Sequence, residues 1–337
     1  MRKEKIKSID IAKGLGIILV VLGHSFPDAL SKGGIENPIF RFLESFIYSF
    51  HMPLFFFVSG FLAVKVVYGK ESIDLFKKIN RLLIPYSTMS IIYLILRFFA
   101  SNLATSSYNL SDFWKIFLGI SPNGGVWFLY VLCLSLMFTY FFVSDKNLIF
   151  WLIVFAICCI VSRSAIFVPG YSVLKYFTYN FVFYLLGIFC HRNRVFEKYN
   201  LKKLAFVFYS IFLLGFVVYY FFGFSLLAFP IAVFGLLSIL ALAQVIDMKE
   251  DQYLKNGLLY LGRMSMYIYL LHGPILVIVR YIFWDYLELT SVIVTPIMFV
   301  LGLIGAIVIT EYIVKKVYIF NALLTGNIKK IGKETTS

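Results

Sequence analysis

Three of the four histidines in this chain lie in stretches apolar enough to sit in a lipid bilayer: His24, His51 and His272. An ionisable side chain is costly in that setting, so each of the three is a functional hypothesis by default. Each one alone is also compatible with a plain hydrogen bond to a neighbouring helix. Three such histidines together favour a polar active site within the membrane.

The first apolar stretch carries an acid, a base and an imidazole on one helical face. Lys13 and His24 are eleven residues apart, which is three turns with about 20° of drift and about 16 Å along the axis. Asp10 lies one turn before Lys13 on nearly the same face. The alternative for Asp10 and Lys13 is an interfacial ion pair with a snorkelling lysine.

Two further stretches combine a histidine with a proline. In the second span, Glu44 precedes His51 by seven residues, which predicts a shared face, and Pro53 is expected to interrupt the helix just after the histidine. In the ninth span, Pro274 is expected to break the helix beside His272. Such breaks more often shape a cavity than a lipid-facing surface.

A basic cluster opens the third span with Lys77, Lys78 and Arg81. The simple interpretation is positive charge that sets the membrane orientation. The functional interpretation is a binding site for the phosphates of a polyanionic cofactor. The sequence has no phosphate-binding glycine loop, HExxH zinc motif or serine nucleophile elbow.

Composition excludes a soluble globular protein. The chain of 337 residues is 61% hydrophobic and only 14% charged, with a mean hydropathy of +0.88. We predict an all-α integral membrane protein with one domain, residues 1–337, and short cytoplasmic tails. Runs of roughly 20 apolar residues, enough to cross a bilayer core, predict about ten transmembrane helices at 9–27, 40–64, 82–101, 126–144, 147–163, 174–190, 204–222, 224–246, 258–283 and 292–318.

The net charge of +14 is distributed in the way that membrane insertion favours. If the N-terminus is cytoplasmic, 24 of the 31 Lys and Arg residues lie at or near the cytoplasmic ends of the spans. This asymmetry predicts that both termini are cytoplasmic, and it argues against nucleic acid as a partner. The polar stretches 28–39 and 101–125 are then outside. The four cysteines show neither zinc nor redox spacing, and no metal is predicted.

Several motifs resemble those of the membrane acyltransferase-3 family, most closely its fucose 4-O-acetylase-like branch. The two most specific are KIKSIDIAKGLGIILVVLGH at 5–24 and SFHMPLFFFVSG at 49–60. Residues 126–129 and 261–272 resemble later landmarks of the family. The resemblance extends over the whole predicted ten-helix chain.

Members of that family are bacterial membrane enzymes that take acyl groups from cytosolic acyl-CoA and esterify hydroxyls, usually on cell-envelope or exported glycans. The resemblance places the basic residue and the histidine of its R/K-x10-H motif at Lys13 and His24. Its inner basic motif corresponds to Lys78 and Arg81, and its acidic position to Asp10. Lys78 stands where many members have arginine, and a lysine lacks the bidentate geometry of arginine towards phosphate.

The resulting hypothesis is an acyl-CoA-dependent O-acyltransferase in the bacterial inner membrane. The acyl group is expected to be acetyl, the donor acetyl-CoA or another acyl-CoA, and the acceptor a glycan or lipid-linked saccharide. His24 is the candidate general base, and a covalent acyl-histidine relay remains an alternative. The predicted catalytic residues are His24, Lys13 and Asp10, the predicted cofactor-binding residues are Lys77, Lys78 and Arg81, and the predicted orienting residues are Glu44, His51 and His272.

Two alternatives differ in kind. A proton-coupled exporter of a small or glycan substrate would also place His, Glu and Lys inside a helical bundle, but it would need no cofactor. An acyltransferase acting on a protein or a lipid would share the donor and differ in the acceptor. The oligomeric state is not predicted.

Overall fold

The computed structural model describes residues 2–26, 37–69, 72–99, 113–121, 124–163, 172–248 and 251–327. Every regular element in these ranges is helical, which confirms the predicted all-α class. The α-helices are, in chain order, α1 (Arg2–Ser25), α2 (Pro38–Tyr48), α3 (His51–Gly69), α4 (Ser72–Phe99), α5 (Phe113–Phe117), α6 (Trp127–Phe142), α7 (Leu148–Arg163), α8 (Ser172–Arg192), α9 (Val195–Lys198), α10 (Ala205–Phe222), α11 (Ala228–Met248), α12 (Gln252–Arg280), α13 (Ser291–Ile309) and α14 (Tyr318–Thr325).

Ten apolar helical stretches of the described chain overlap the ten predicted spans, with the largest shift at the third, which begins nine residues earlier than predicted. Eight are long and apolar enough to cross a membrane: Lys7–Ser25, Pro38–Gly69, Ile73–Leu96, Ser172–Arg192, Leu201–Phe222, Ser225–Met248, Gln252–Tyr286 and Ser291–Val314. Two are shorter, Trp127–Phe142 and Leu148–Ser162. A helix of 16 residues is about 24 Å long, less than the hydrocarbon core of about 30 Å. Because eight helices can cross a membrane, the protein is a multi-pass membrane protein. The count of ten transmembrane helices stays a prediction, because two of the ten are short.

Several predictions concern segments that the structure does not describe. Most of the polar stretches 28–39 and 101–125 lie outside the described residues, as do the lysines after Asn327. The cytoplasmic location of both termini also stays a prediction, since it rests on the distribution of charge alone.

Helix α1 is central to the bundle and packs most extensively on α12. Two glycines allow the backbones to touch. A Cβ added at Gly14 would overlap the carbonyl oxygen of Leu258, and one added at Gly262 would overlap the carbonyl oxygen of Asp10. Small residues at a membrane helix interface permit this approach, and van der Waals contact then holds the pair.

Helices α3 and α8 meet in the same way. A Cβ at Gly60 would overlap the carbonyl oxygen of Tyr184, and one at Gly187 would overlap that of Phe57. Gly60 and Gly187 thus allow the backbones of these two helices to touch. Around this crossing lies the main buried core, rich in phenylalanine from α3, α6 and α8.

The helix break in the second span lies before His51, so the predicted break after it is wrong. α2 ends at Tyr48 and α3 begins at His51. Pro53 occupies the first turn of α3, where its missing N–H costs nothing because that position has no intrahelical acceptor. Glu44 and His51 therefore belong to different helices, and the predicted shared face of one continuous helix is wrong.

The break predicted at Pro274 is also absent from the structure. α12 runs through this proline as far as Arg280 and then continues as a π-helical segment, Tyr281–Tyr286. A proline within a membrane helix is tolerated where neighbouring helices support the backbone. α12 has such support, since it packs against both α1 and α13.

We expect Gly262→Ala to destabilise the bundle, because the added methyl group meets backbone atoms of α1 that cannot move independently. Overpacking of this kind costs roughly 1 to 3 kcal/mol. Thermal unfolding of detergent-purified protein measures it. Gly257→Ala on the same helix is the control, since a Cβ there meets nothing within 4 Å. Equal unfolding temperatures for the two variants would contradict the proposed role of the α1 and α12 contact.

Candidate active site

Three helices converge on the imidazole of His24. This residue lies in the last turn of α1, and its side chain is exposed on a cavity. Its ring centroid is 5.3 Å from that of His272 on α12. Its Nδ1 atom is 3.0 Å from the hydroxyl oxygen of Tyr48 on α2. Two of the histidines that the sequence singles out therefore lie side by side.

The other two imidazoles are buried and fixed by backbone carbonyls. His51 Nδ1 is 2.9 Å from the carbonyl oxygen of Ile47, and His272 Nδ1 is 2.9 Å from that of Ile268. A carbonyl only accepts, so in each ring Nδ1 carries the hydrogen, and in the neutral form Nε2 is an acceptor. His51 joins the cluster through Tyr48, whose ring centroid is 4.7 Å from its own.

A cavity of about 240 Å³ opens beside the paired histidines. We call it the histidine cavity. His24 and His272 line it together with Tyr93, Tyr269 and Arg280. It thus contains imidazole, phenol and guanidinium groups within an apolar bundle, a combination that suits proton transfer on a polar substrate.

A second cavity of about 270 Å³ is lined mostly by apolar side chains. We call it the lysine cavity, because Lys13 lines it, together with Arg263. The Nζ atom of Lys13 is 2.7 Å from a carboxylate oxygen of Asp10, so the predicted ion pair is present. In the described chain, no group of three or more His, Cys, Asp or Glu is arranged to hold a metal ion.

Tyr269 separates the two cavities and lines both of them. Its hydroxyl donates a hydrogen bond to the carbonyl oxygen of Gly125, which fixes the ring across the space between α12 and the start of α6. Phe128 packs against it edge-on, with ring centroids 5.7 Å apart. The ring of Tyr269 is therefore part of the wall between the lysine cavity and the histidine cavity.

The predicted basic cluster lies at the start of α4, and its members differ in position. Lys78 Nζ donates to the carbonyl oxygen of Leu62, a residue that lines the lysine cavity, at 3.3 Å. Arg81 is exposed. Lys77 is also exposed, and its Nζ lies 3.7 Å from a carboxylate oxygen of Asp74. Lys78 is thus the member that reaches the edge of the cavity.

Glu44 is not brought to either cavity. It is half-buried on α2, three residues before Ile47, and it lines neither the histidine cavity nor the lysine cavity. The structure therefore groups His24, His51 and His272, and it groups Lys13, Asp10 and Lys78 beside the other cavity. Glu44 and Lys77 stand apart from both groups.

Five site residues were missed by sequence reasoning: Tyr48, Tyr93, Arg263, Tyr269 and Arg280. Tyr269 lies one helical turn before His272, a spacing that places the two on one face and would have been a usable signal. Arg263 lies within the motif 261–272, but nothing in the sequence directs it to the same cavity as Lys13. Tyr48 reaches His24 only because the helix breaks after it.

Comparison with known proteins assigns the family. Residues 6–311 match the acyltransferase-3 family, described as an acyltransferase domain. The nodulation protein NolL of Mesorhizobium japonicum (strain LMG 29417 / CECT 9101 / MAFF 303099) is 28% identical over 185 residues, or 53% of this chain and 46% of that protein. The chain therefore aligns with less than half the length of this relative. No solved structure matches the chain significantly. Because the family match covers nearly the whole chain, this protein belongs to the acyltransferase-3 family.

Proposed function

We propose that this protein is a membrane O-acyltransferase that moves an acyl group, expected to be acetyl, from cytosolic acyl-CoA to a hydroxyl of a cell-envelope or exported glycan. The observation that carries this proposal is the pair of cavities that meet at Tyr269. Cationic Lys13 and Arg263 border one cavity, and His24 and His272 border the other. Family membership supports acyl transfer. The location of His24 and His272 in a different cavity from Lys13 and Arg263 supports distinct donor and acceptor sides, although Arg280 lies on the histidine side.

The lysine cavity is the proposed site of the donor arm. Its apolar lining suits the pantetheine chain and acyl group of acyl-CoA, whereas the nucleotide is too polar to enter. Lys78, Arg81 and Arg263 would bind the phosphates by charge-assisted hydrogen bonds. Lys13 is about 16 Å from His24 along the axis of α1, so it holds the donor rather than touching the acceptor hydroxyl.

The reaction needs a base at the acceptor hydroxyl. With the thioester carbonyl placed where the two cavities meet at Tyr269, Nε2 of His24 takes the hydroxyl proton while the oxygen attacks the carbonyl carbon. The carbon–sulfur bond then breaks, the thiolate of CoA leaves, and the histidine returns the proton to sulfur. The products are the ester and free CoA thiol, so no other reactant is consumed.

Tyr48 is the proposed orienting partner of His24. For Nε2 to carry the lone pair, Nδ1 must carry the hydrogen and donate it to the Tyr48 hydroxyl oxygen, 3.0 Å away. His272 and His51 are proposed to shape this site from their carbonyl-fixed positions. Asp10 is proposed to hold Lys13 through their ion pair.

The finer assignments belong to the same proposal. We place the protein in the bacterial cytoplasmic membrane with both termini in the cytoplasm, in the fucose 4-O-acetylase-like branch of the family. The excess of Lys and Arg at one set of span ends supports that orientation, and the relative NolL is bacterial. Acetyl-CoA or another acyl-CoA is the donor substrate, and a glycan or lipid-linked saccharide is the acceptor.

A proton-coupled exporter would use the same buried histidines without a cofactor. Membership of an acyltransferase family favours the enzyme. Release of free thiol from acetyl-CoA by purified protein, with acetylated glycan as the second product, separates the two functions. Transport of a substrate by reconstituted vesicles, with no thiol released, would contradict the enzyme.

His24→Ala is expected to lower acetyl transfer by about 10² to 10⁴-fold, the usual contribution of a positioned general base. Radiolabelled acetyl-CoA and membrane-derived glycan give the measurement. His191→Ala is the matched control, because this exposed histidine packs against Phe61 at the far end of α8. Near-normal acetyl transfer by folded His24→Ala protein would show that His24 is not the general base.

Neutralising Lys78 and Arg81 together with glutamine is expected to weaken acetyl-CoA binding by about tenfold or more per lost phosphate contact. The binding constant of detergent-purified protein measures this. Lys198→Gln with Lys203→Gln removes the same charge from exposed positions and should bind normally. Matching affinities of the two double variants would show that the cluster does not bind the donor.

Tyr269→Phe is expected to weaken the wall between the cavities, because the hydroxyl bond to the Gly125 carbonyl is lost. Thiol release from acetyl-CoA in the absence of acceptor should rise several-fold, since water reaches the thioester. Tyr267→Phe is the control: its hydroxyl donates to Asn321 Oδ1 at 2.8 Å, away from both cavities. An unchanged rate of thiol release without acceptor in Tyr269→Phe would contradict the proposed role of the Tyr269 hydroxyl in separating the two cavities.

A further inference from the structure

A third cavity, of about 490 Å³, is lined by Tyr48, the residue whose hydroxyl bonds to His24. We call it the hydroxyl cavity. Side chains with hydroxyl groups dominate its lining: Ser45, Tyr48, Ser49, Tyr219, Tyr220 and Ser225. Its volume lies within the range of about 300–1,000 Å³ that is usual for small-molecule sites.

Tyr48 connects this cavity to the candidate active site. Tyr48 lines the hydroxyl cavity, and its hydroxyl oxygen is 3.0 Å from Nδ1 of His24. The other walls come from the end of α10 and the start of α11, which approach α2 at this level. A ligand in the hydroxyl cavity would therefore lie next to a molecule that reacts at His24.

The chemistry of the lining favours a neutral polyol. A hydroxyl both donates and accepts hydrogen bonds, and no charged side chain is among the described residues of the lining. Within the described chain, no hydrogen bond is formed by the hydroxyls of Ser45, Tyr219 or Tyr220. These half-buried hydroxyls line the cavity and are therefore available to donate hydrogen bonds to, and accept them from, a ligand rich in hydroxyls.

The aromatic side chains of the cavity are held in place. The ring of Tyr220 packs against Phe42 and Phe216, with centroids 5.0 and 5.9 Å away. A rigid tyrosine presents an apolar face beside a polar tip. A saccharide has the matching surfaces, because its ring carries C–H faces and equatorial hydroxyls.

We propose that the hydroxyl cavity binds a neutral saccharide unit of the acceptor, adjacent to the unit whose hydroxyl is acylated at His24. This inference rests on the proposed function and adds to it a binding site for a second saccharide unit of the acceptor. The acceptor is then an oligosaccharide or a longer glycan rather than a free monosaccharide. Tyr48 lies between the two units.

The test removes three hydroxyls without changing the packing: Ser45→Ala, Tyr219→Phe and Tyr220→Phe in one protein. Detergent-purified wild-type protein and the triple variant are titrated with neutral mono-, tri- and tetrasaccharides of hexoses, 6-deoxyhexoses and N-acetylhexosamines, with native mass spectrometry as the readout. Tyr209→Phe with Ser210→Ala, on the same α10, is the control. Binding of acetyl-CoA is measured alongside.

Wild-type protein should bind at least one tri- or tetrasaccharide about tenfold or more tightly than its monosaccharide, and the triple variant should lose that advantage. The control variant should keep it. Acetyl-CoA affinity should be unchanged in all proteins. In transfer assays, the KM for the oligosaccharide should rise in the triple variant while kcat stays near the wild-type value.

Three outcomes would overturn the proposal. The first is equal affinity of wild-type protein for monosaccharides and oligosaccharides. The second is an equal loss of affinity in the triple variant and the control variant. The third is a phospholipid that wild-type protein retains and the triple variant releases, which would assign the cavity to lipid. If oligosaccharides bind through these hydroxyls but no acetyl group is transferred, the subsite stands and the proposed acyl transfer fails.

Discussion

The contact between the backbones of α1 and α12 sets the geometry on which the rest of the site depends. Gly14 and Gly262 let the two helices touch without intervening side chains. Each glycine lies ten residues before a histidine, which is about 15 Å along a helix axis. His24 and His272 therefore reach the same level, and their rings lie 5.3 Å apart. A bulkier residue at either glycine would separate the helices as well as the imidazoles.

A second constraint is the scarcity of water in the interior of a membrane bundle. Polar groups there must find partners within the protein, and the site shows how this orders them. His51 and His272 bond to carbonyl oxygens of the preceding turn, and Lys13 bonds to Asp10. The bonds to carbonyl oxygens fix the ring orientation and the tautomer of His51 and His272. The chemistry expected of the site thus follows from the same requirement that stabilises the fold.

The all-α class and the positions of the apolar spans could be predicted because both depend on local sequence. Lys13 and His24 could be assigned to one face because helical periodicity suffices for that. The helix break before His51 could not be predicted, because Pro53 is as compatible with the first turn of a new helix as with the interruption of a continuous one. The joint placement of Arg263 and Lys13 depends on contact between distant helices, which no local pattern contains. Tyr48 was missed for the same reason.

The wall at Tyr269 has a consequence for the electrical properties of the membrane. Two cavities that enter from opposite ends of a bundle would form a leak for protons and small ions if they joined. Moving one elementary charge across 100 mV corresponds to about 2.3 kcal/mol. A cell would dissipate that energy continuously through an open passage. The ring of Tyr269, held by its hydrogen bond to the Gly125 carbonyl oxygen, lies where the two cavities meet, so an ion passing from one cavity to the other would have to move past this ring.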